Sequence, residues 1–200
     1  LRNPVDMIYS LHGETIFNGY ETESDFEKAL TLEYGRKSGL NIPSSATFVQ
    51  CLLYKENGLY STHIQRWQEA FGKENVLIIL LDDLYKNALD STNKALEFLG
   101  LNELPELNNE VQNEAKDFAS LGLHQKFKSA KKWEKNLIRL LIPSKKIRER
   151  FLNKIYQANI KKTVKKTMST ELRNKLTQFF VEDIKATEKL IDRNLNHWMK

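Results

Sequence analysis

The chain has 200 residues, of which 40% are hydrophobic, and its formal net charge at neutral pH is +5. This length suits one domain of ordinary size, and no apolar run approaches the eighteen or so residues that a membrane-spanning helix needs. The lone cysteine, Cys51, excludes an internal disulfide and a cysteine metal cluster, and its apolar neighbours favour a buried, inert thiol in a cytoplasmic protein.

The first residues of the chain predict a strand that runs directly into a helix. Leu1 is interpreted as the last residue of the strand. Asn3 is a good helix N-cap, and Pro4 then falls at the first helical position, where its missing N–H costs nothing. We expect the helix to end at Gly13.

The junction between that strand and that helix is a candidate anion site, because free N–H groups and the helix dipole point to the same place. Arg2 stands at the junction with a planar fork of donors suited to phosphate, and Ser10 adds a hydroxyl eight positions later. The alternative is that Arg2 binds a neighbouring carbonyl and that Ser10 is an ordinary helix serine. Taken alone, these ten residues favour that alternative.

Two further helices are predicted before the middle of the chain. Ser24 and Glu27 have the spacing of a capping box at the start of one helix, and residues 35–45 are expected to form a loop. The second helix should bury one face and end at Gly72; that face is formed by Tyr60, Ile64, Trp67 and Phe71.

Residues 76–81 are six consecutive apolar residues and predict a strand that is buried on both faces, which is typical of a parallel sheet. Asp82 and Asp83 follow it. A pair of carboxylates suggests a metal site or acid–base catalysis, but without a nearby His or third acid we prefer aspartates that cap helices and hold the loop. The fold predicted is α/β, with a central parallel sheet that contains both strands and has helices on both sides.

The second half of the chain is predicted to be rich in helices. Ser169 should cap the last of these, which carries an apolar stripe formed by Leu172, Leu176, Phe179, Phe180, Ile184 and Ile191. Before it, residues 124–166 hold fifteen Lys and Arg against two Glu, a local net charge of +13, which leaves −8 for the remainder of the chain. This asymmetry indicates an anionic partner for one region of the protein.

Together these motifs resemble those of sulfotransferases that use 3′-phosphoadenosine 5′-phosphosulfate (PAPS), in particular the bacterial members. The segments that carry the resemblance are Arg2-Asn3-Pro4 with Tyr9-Ser10, residues 26–43, the block from Gly58 to Phe71, residues 76–84, Phe98-Leu99-Gly100, and the ending from Phe179 to Trp198. The chain departs from the family pattern at Leu81, where many members have Tyr, and at Met7, where many have Arg.

The resemblance implies a three-layer, P-loop-like fold and transfer of a sulfuryl group from PAPS to a hydroxyl or amine acceptor, without a metal. On the family pattern Arg2 and Ser10 bind the 3′-phosphate of the donor. The family's catalytic base and its 5′-phosphosulfate loop precede this motif. We therefore assign no catalytic residue, and we expect residues 1–200 to form a single sulfotransferase domain that lacks its N-terminal strand, loop and helix and does not catalyse the transfer alone.

The alternative class is a basic helical module that binds nucleic acid or another polyanion through residues 124–166. Their charge supports this interpretation, but they contain no recognisable nucleic-acid motif and the rest of the chain is acidic. We therefore expect a nucleotide sulfate donor and a hydroxyl- or amine-bearing acceptor as partners, and nucleic acid as an unlikely one.

Overall fold

The structure is a computed structural model, and it describes residues 1–107, 116–118, 133, 139–140, 142, 144–162 and 167–200. The described α-helices are α1 (Pro4–Phe17), α2 (Phe26–Lys37), α3 (Tyr54–Asn57), α4 (Tyr60–Phe71), α5 (Leu81–Lys86), α6 (Ala88–Phe98), α7 (Lys145–Asn159) and α8 (Thr170–Ile191). Short 3-10 helices cover Val49–Leu52, Lys73–Asn75 and Asn196–Met199, and the strands are β1 (Lys116–Phe118) and β2 (Ile160–Lys162).

The start of α1 is as predicted, but its end is not. The Asn3 side chain accepts a hydrogen bond from the backbone N–H of Val5 at 3.0 Å, so Asn3 caps the helix and Pro4 is its first residue. The helix continues past Gly13 to Phe17. One glycine inside a helix costs only about 1 kcal/mol relative to alanine, and Gly13 therefore does not end it.

Helix α2 begins one residue later than predicted and ends later. Its N-cap is Asp25, whose side chain accepts from the backbone N–H of Lys28 at 3.0 Å. The predicted cap, Ser24 with Glu27, has the same spacing of three residues but lies one position earlier. The helix then runs to Lys37, into the segment predicted to be a loop.

The prediction of an α/β fold with a central parallel sheet is wrong for the described part of the chain. The strands described there are β1 and β2, which pair antiparallel with Lys116 opposite Lys162 and Phe118 opposite Ile160. Residues 76–80 are not a strand, and of these five only Leu80 is buried.

The reason is that, within the described residues, Leu1 is the only residue from a distant part of the chain whose backbone bonds to this apolar run. The N–H of Leu1 donates to the Ile79 carbonyl, and the N–H of Leu81 donates to the Leu1 carbonyl at 2.6 Å. These bonds join Leu1 alone to the run, whereas a ladder needs several consecutive pairs. An apolar run of this length does not by itself distinguish a buried strand from an extended segment that leads into a helix, here α5.

The described residues of Leu1–Ser10, Tyr54–Gln112 and Met168–Lys200 form one compact unit, which we call the first unit. In it α4 packs against α8, and α5 packs against α6. Ser169 caps α8 as predicted, by accepting from the backbone N–H of Leu172. The apolar core of this unit includes Val5, Ile8, Tyr54, Ile64, Leu80, Leu176, Phe180, Ile184, Leu195 and Trp198.

The face predicted for α4 is only partly buried. Ile64 lies in the core, but Trp67 and Phe71 are more than half exposed and stack on each other with ring centroids 5.3 Å apart. The helix ends at Gly72 as predicted, with a φ of 86° that favours glycine.

The second unit contains the described residues of Leu11–Leu53 and Asn113–Thr167. Its buried apolar residues are Phe26, Ala29, Leu30, Leu52 and Leu53. Among them lies an ion pair between Arg36 and Glu21. The two side chains are 1% and 0% exposed and approach each other to 2.8 Å. Glu21 also accepts from the backbone N–H groups of Thr22 and Glu23, which helps to offset the cost of burying its charge.

Candidate functional site

Arg2 and Ser10, the two predicted site residues, are in contact. The guanidinium of Arg2 donates from Nη1 to the Ser10 hydroxyl oxygen at 2.9 Å. Both residues are partly exposed. The bond engages one of the five N–H donors of the guanidinium, so the same fork can present further donors to a tetrahedral anion.

The charge of Arg2 is not balanced by a carboxylate among the residues that the structure describes. The nearest acid in sequence, Asp6 in the first turn of α1, pairs instead with Arg173 of α8. A cation at a helix N-terminus, without an acid partner, favours binding of an anion.

The main chain around Arg2 is held on both sides. Leu1 exchanges two hydrogen bonds with Ile79 and Leu81. On the other side, the Asn3 side chain donates from Nδ2 to the carbonyl of Trp198 at 3.1 Å. Because Trp198 is buried, this bond ties the beginning of α1 to the core of the first unit.

Tyr60 lies at the start of α4, where its backbone N–H donates to Oδ2 of Asp183 on α8 at 2.8 Å. Burial raises the pKa of the Tyr60 hydroxyl above its ordinary value. The spacing of Tyr60 relative to Ile64 predicts only that both share a helix face, and the contact with Asp183 leaves no local signal in the sequence.

The acidic pair Asp82–Asp83 binds residues near the C-terminus. Asp82 accepts from His197 Nε2 at 2.9 Å and from Trp198 Nε1 at 3.0 Å. Asp83 accepts two hydrogen bonds from Arg193, at 3.0 and 3.1 Å. Neither side chain caps α5, whose N-cap is Leu80 without a side-chain bond. The prediction that these aspartates cap helices is therefore wrong, and a histidine does accompany the pair, although it lies 115 positions away in the sequence.

The second unit contains a cavity of about 330 Å³ beside the buried Arg36. Its walls are formed by Thr22, Glu23, Leu32, Arg36, Asn41, Ile42 and Pro43. Four contacts already engage the Arg36 guanidinium, two of them with Glu21 and one each with the carbonyls of Asn41 and Leu52. This arginine is therefore part of the core and does not offer a charge to a ligand in the cavity.

Cys51 lies near the same core and is partly buried. Its thiol donates to the Phe48 carbonyl, and burial raises its pKa above the ordinary value. A raised pKa keeps the thiol protonated at neutral pH, so Cys51 is a poor nucleophile. Among the described residues, no group of three or more His, Cys, Asp or Glu could hold a metal ion.

The basic region at 124–166 is described only in part. Residues 126–132 lie outside the described residues, whereas Lys145–Asn159 form α7. Ile147 and Phe151 of α7 are more than half exposed. A search of the described helices finds none with the length and apolar character to cross a membrane.

Comparison with known proteins gives one family and one related structure. A family model described as a sulfotransferase domain matches residues 1–188. No curated protein matches the chain. The chain is similar to the crystal structure of a sulfotransferase from Alicyclobacillus acidocaldarius, with 22% sequence identity and a TM-score of 0.60. That match covers all of this chain and 56% of the other, and at this identity it is a likeness of fold.

Proposed function

Because the chain belongs to the sulfotransferase domain family, we propose that its protein transfers a sulfuryl group from PAPS to a hydroxyl or amine acceptor. In this proposal Arg2 and Ser10 hold the 3′-phosphate of the donor. The observation that carries it is the contact between these two side chains at the N-terminus of α1, within the range that the family model matches.

The reaction is an in-line displacement at sulfur. The acceptor oxygen or nitrogen forms a bond to the sulfur atom, while the bond between sulfur and the 5′-phosphate oxygen breaks. The acceptor gives up its proton to a base, and the products are the sulfated acceptor and adenosine 3′,5′-bisphosphate. Arg2 and Ser10 act away from the reacting atoms, because a fixed 3′-phosphate sets the position of the nucleotide.

The geometry supports phosphate as the ligand of this pair. Arg2 is a forked, permanently charged donor, and the hydroxyl of Ser10 adds a donor beside it at 2.9 Å. Asp6, which could otherwise neutralise Arg2, is engaged by Arg173. An anion that binds here would replace the bond between Arg2 and Ser10 with stronger, charge-assisted bonds from both residues.

The proposal predicts that Arg2→Ala weakens binding of adenosine 3′,5′-bisphosphate by about 1.5–3 kcal/mol, the range for a hydrogen bond to a charged group. Ser10→Ala should cost less, since it removes a neutral donor. Binding of adenosine 5′-monophosphate, which lacks the 3′-phosphate, should be unchanged by both substitutions. Isothermal titration calorimetry with the two nucleotides measures the difference.

Arg66→Ala is the matched control, because Arg66 is an exposed arginine on α4 of the same unit. It should leave both affinities unchanged. Equal weakening of the two nucleotides by Arg2→Ala would contradict the assignment. Displacement of the nucleotide by duplex DNA, with a steep dependence on salt, would instead support a module that binds polyanions.

A further inference from the structure

We propose that Asp82, acting through Trp198 and Asn3, positions Arg2 for recognition of the 3′-phosphate. This inference rests on the proposed function, since it concerns the residue that would hold that phosphate. Asp82, Trp198 and Asn3 are positioning residues in this account. They act on the main chain beside Arg2 and do not touch the nucleotide themselves.

The first observation is that the Asn3 side chain binds two different parts of the chain. Its Oδ1 accepts from the backbone N–H of Val5 at 3.0 Å and caps α1. Its Nδ2 donates to the carbonyl of Trp198 at 3.1 Å. Aspartate and serine cap helices as well as asparagine does, but neither carries a second atom that donates. The amide therefore both caps α1 and ties its N-terminus to the segment around Trp198.

The second observation is that Asp82 holds Trp198 from the other side. The indole Nε1 of Trp198 donates to Oδ2 of Asp82 at 3.0 Å, and His197 Nε2 donates to the same oxygen at 2.9 Å. The backbone N–H of Trp198 donates to the Leu195 carbonyl at 2.8 Å, and the tryptophan is 1% exposed. The indole has one N–H, so its charge-assisted bond to Asp82 fixes the orientation of the ring.

The third observation is the place of Asp82 in the fold. It lies in the first turn of α5, next to Leu81, whose N–H donates to the Leu1 carbonyl at 2.6 Å. The first turn of α5 therefore binds the residue before Arg2 directly. It binds the residue after Arg2, which is Asn3, through the tryptophan.

The consequence is that the main chain of Arg2 is fixed through both of its neighbours. Its guanidinium is left to contact Ser10, at 2.9 Å, and the phosphate that the proposed function assigns to this pair. A forked arginine recognises phosphate by geometry, so a small displacement of its main chain reduces phosphate recognition more than it reduces general binding. The bonds from Asp82 to Asn3 thus act on the preference for a 3′-phosphate.

The test compares Asn3→Ser with Asn87→Ser in the same unit. Asn87 is the exposed N-cap of α6, where its side chain accepts from the backbone N–H of Asp90 at 3.1 Å. Serine preserves the helix cap at both positions, whereas only the substitution of Asn3 removes the donor to Trp198. Calorimetry on the whole chain, below the melting temperature of every variant, measures the affinities for adenosine 3′,5′-bisphosphate and adenosine 5′-monophosphate.

We expect Asn3→Ser to reduce the preference for the bisphosphate about three- to tenfold, as for loss of one hydrogen bond. The affinity for the monophosphate should not change, and Asn87→Ser should change neither affinity. The ratio of the two affinities separates positioning from stability, because a variant that is only less stable keeps its preference between nucleotides.

Asp82→Asn provides a second variant, with Asp90→Asn as its control, since Asp90 is an exposed aspartate in the first turn of α6. An amide oxygen accepts more weakly than a carboxylate, so Asp82→Asn should reduce the same preference by a smaller factor than Asn3→Ser does. In an Asn3→Ser background the substitution of Asp82 should add nothing to the loss, because Asp82 acts through Asn3.

Three results would overturn the inference. Equal weakening of both nucleotides by Asn3→Ser would show a structural role. An undiminished effect of Asp82→Asn in the Asn3→Ser background would show that Asp82 does not act through Asn3. If Asn3→Ser keeps the full preference while Arg2→Ala loses it, Asn3 does not position Arg2 and the proposed function stands. A preference that survives even Arg2→Ala contradicts the proposed function itself, and the inference with it.

Discussion

Asp82 and Asp83 show how single side chains fix the C-terminal segment of the first unit. The hydrogen bond from His197, aided by the one from Trp198, holds the pKa of Asp82 below its ordinary value even though burial opposes the shift. Arg193 does the same for Asp83 through two hydrogen bonds. Because Trp198 also accepts from Asn3, the contacts of Asp82 support the start of α1 as well.

These contacts predict how stability depends on pH. A depressed pKa in the folded state means that the stabilisation from Asp82 is present above its ordinary pKa of 3.8 and is lost as pH falls through the lower folded value. Asp82→Asn should therefore lower the melting temperature at neutral pH. It should also reduce the decrease in melting temperature that the unsubstituted chain shows between about pH 5 and pH 2. Differential scanning calorimetry across that range measures both effects.

Glu103→Gln is the control for this prediction, since Glu103 is an exposed acid in the loop after α6. Its melting curve should follow that of the unsubstituted chain at every pH. A pH profile for Asp82→Asn that runs parallel to that of the unsubstituted chain would show that the contacts with His197 and Trp198 do not stabilise the fold.

At the scale of elements, the crossing of α8 with the turn after α3 depends on a glycine. A Cβ atom at Gly58 would lie 2.6 Å from Cζ of Phe180 and 3.2 Å from Cγ2 of Ile8. Both neighbours are completely buried. The core therefore has no room for a methyl group at this position.

Gly58→Ala should destabilise the chain by about 1–3 kcal/mol, the usual cost of overpacking a core. Gly13→Ala is the matched substitution, because a Cβ at Gly13 meets no described atom within 4 Å and the residue lies inside α1. It should stabilise by about 0.5–1 kcal/mol through helix propensity. Chemical denaturation measures both values. Equal effects of the two substitutions would refute the packing argument.

Helices were predictable from local sequence wherever both a cap and an apolar spacing were present. Asn3 and Pro4 correctly predicted the start of α1. Ser169, together with the apolar stripe that contains Leu176 and Phe180, correctly predicted α8. Both signals depend on neighbours within a turn or two. The end of α1 was mistaken at Gly13, because a weak helix former stops a helix only where the surrounding contacts allow it.

At the scale of the whole molecule, the described chain contains two compact units, and each is made of segments that are distant in sequence. The parallel sheet could not be judged from residues 76–81, because strand pairing depends on a partner that local pattern does not identify. The contact of Arg2 with Ser10 was predictable, since both lie at α1, whereas the contact of Asn3 with Trp198 spans 195 positions and leaves no local trace in the sequence. That the protein is one domain over residues 1–200 stays a prediction.

The contact between Arg2 and Ser10 supports the central claim that this pair holds a phosphate. A crystal structure of the chain with adenosine 3′,5′-bisphosphate tests it most directly. The account predicts that oxygens of the 3′-phosphate lie about 2.7–3.2 Å from the Arg2 guanidinium and from the Ser10 hydroxyl, within hydrogen-bonding distance. A nucleotide that binds with its 3′-phosphate away from both residues, and leaves Arg2 bonded to Ser10, would contradict it.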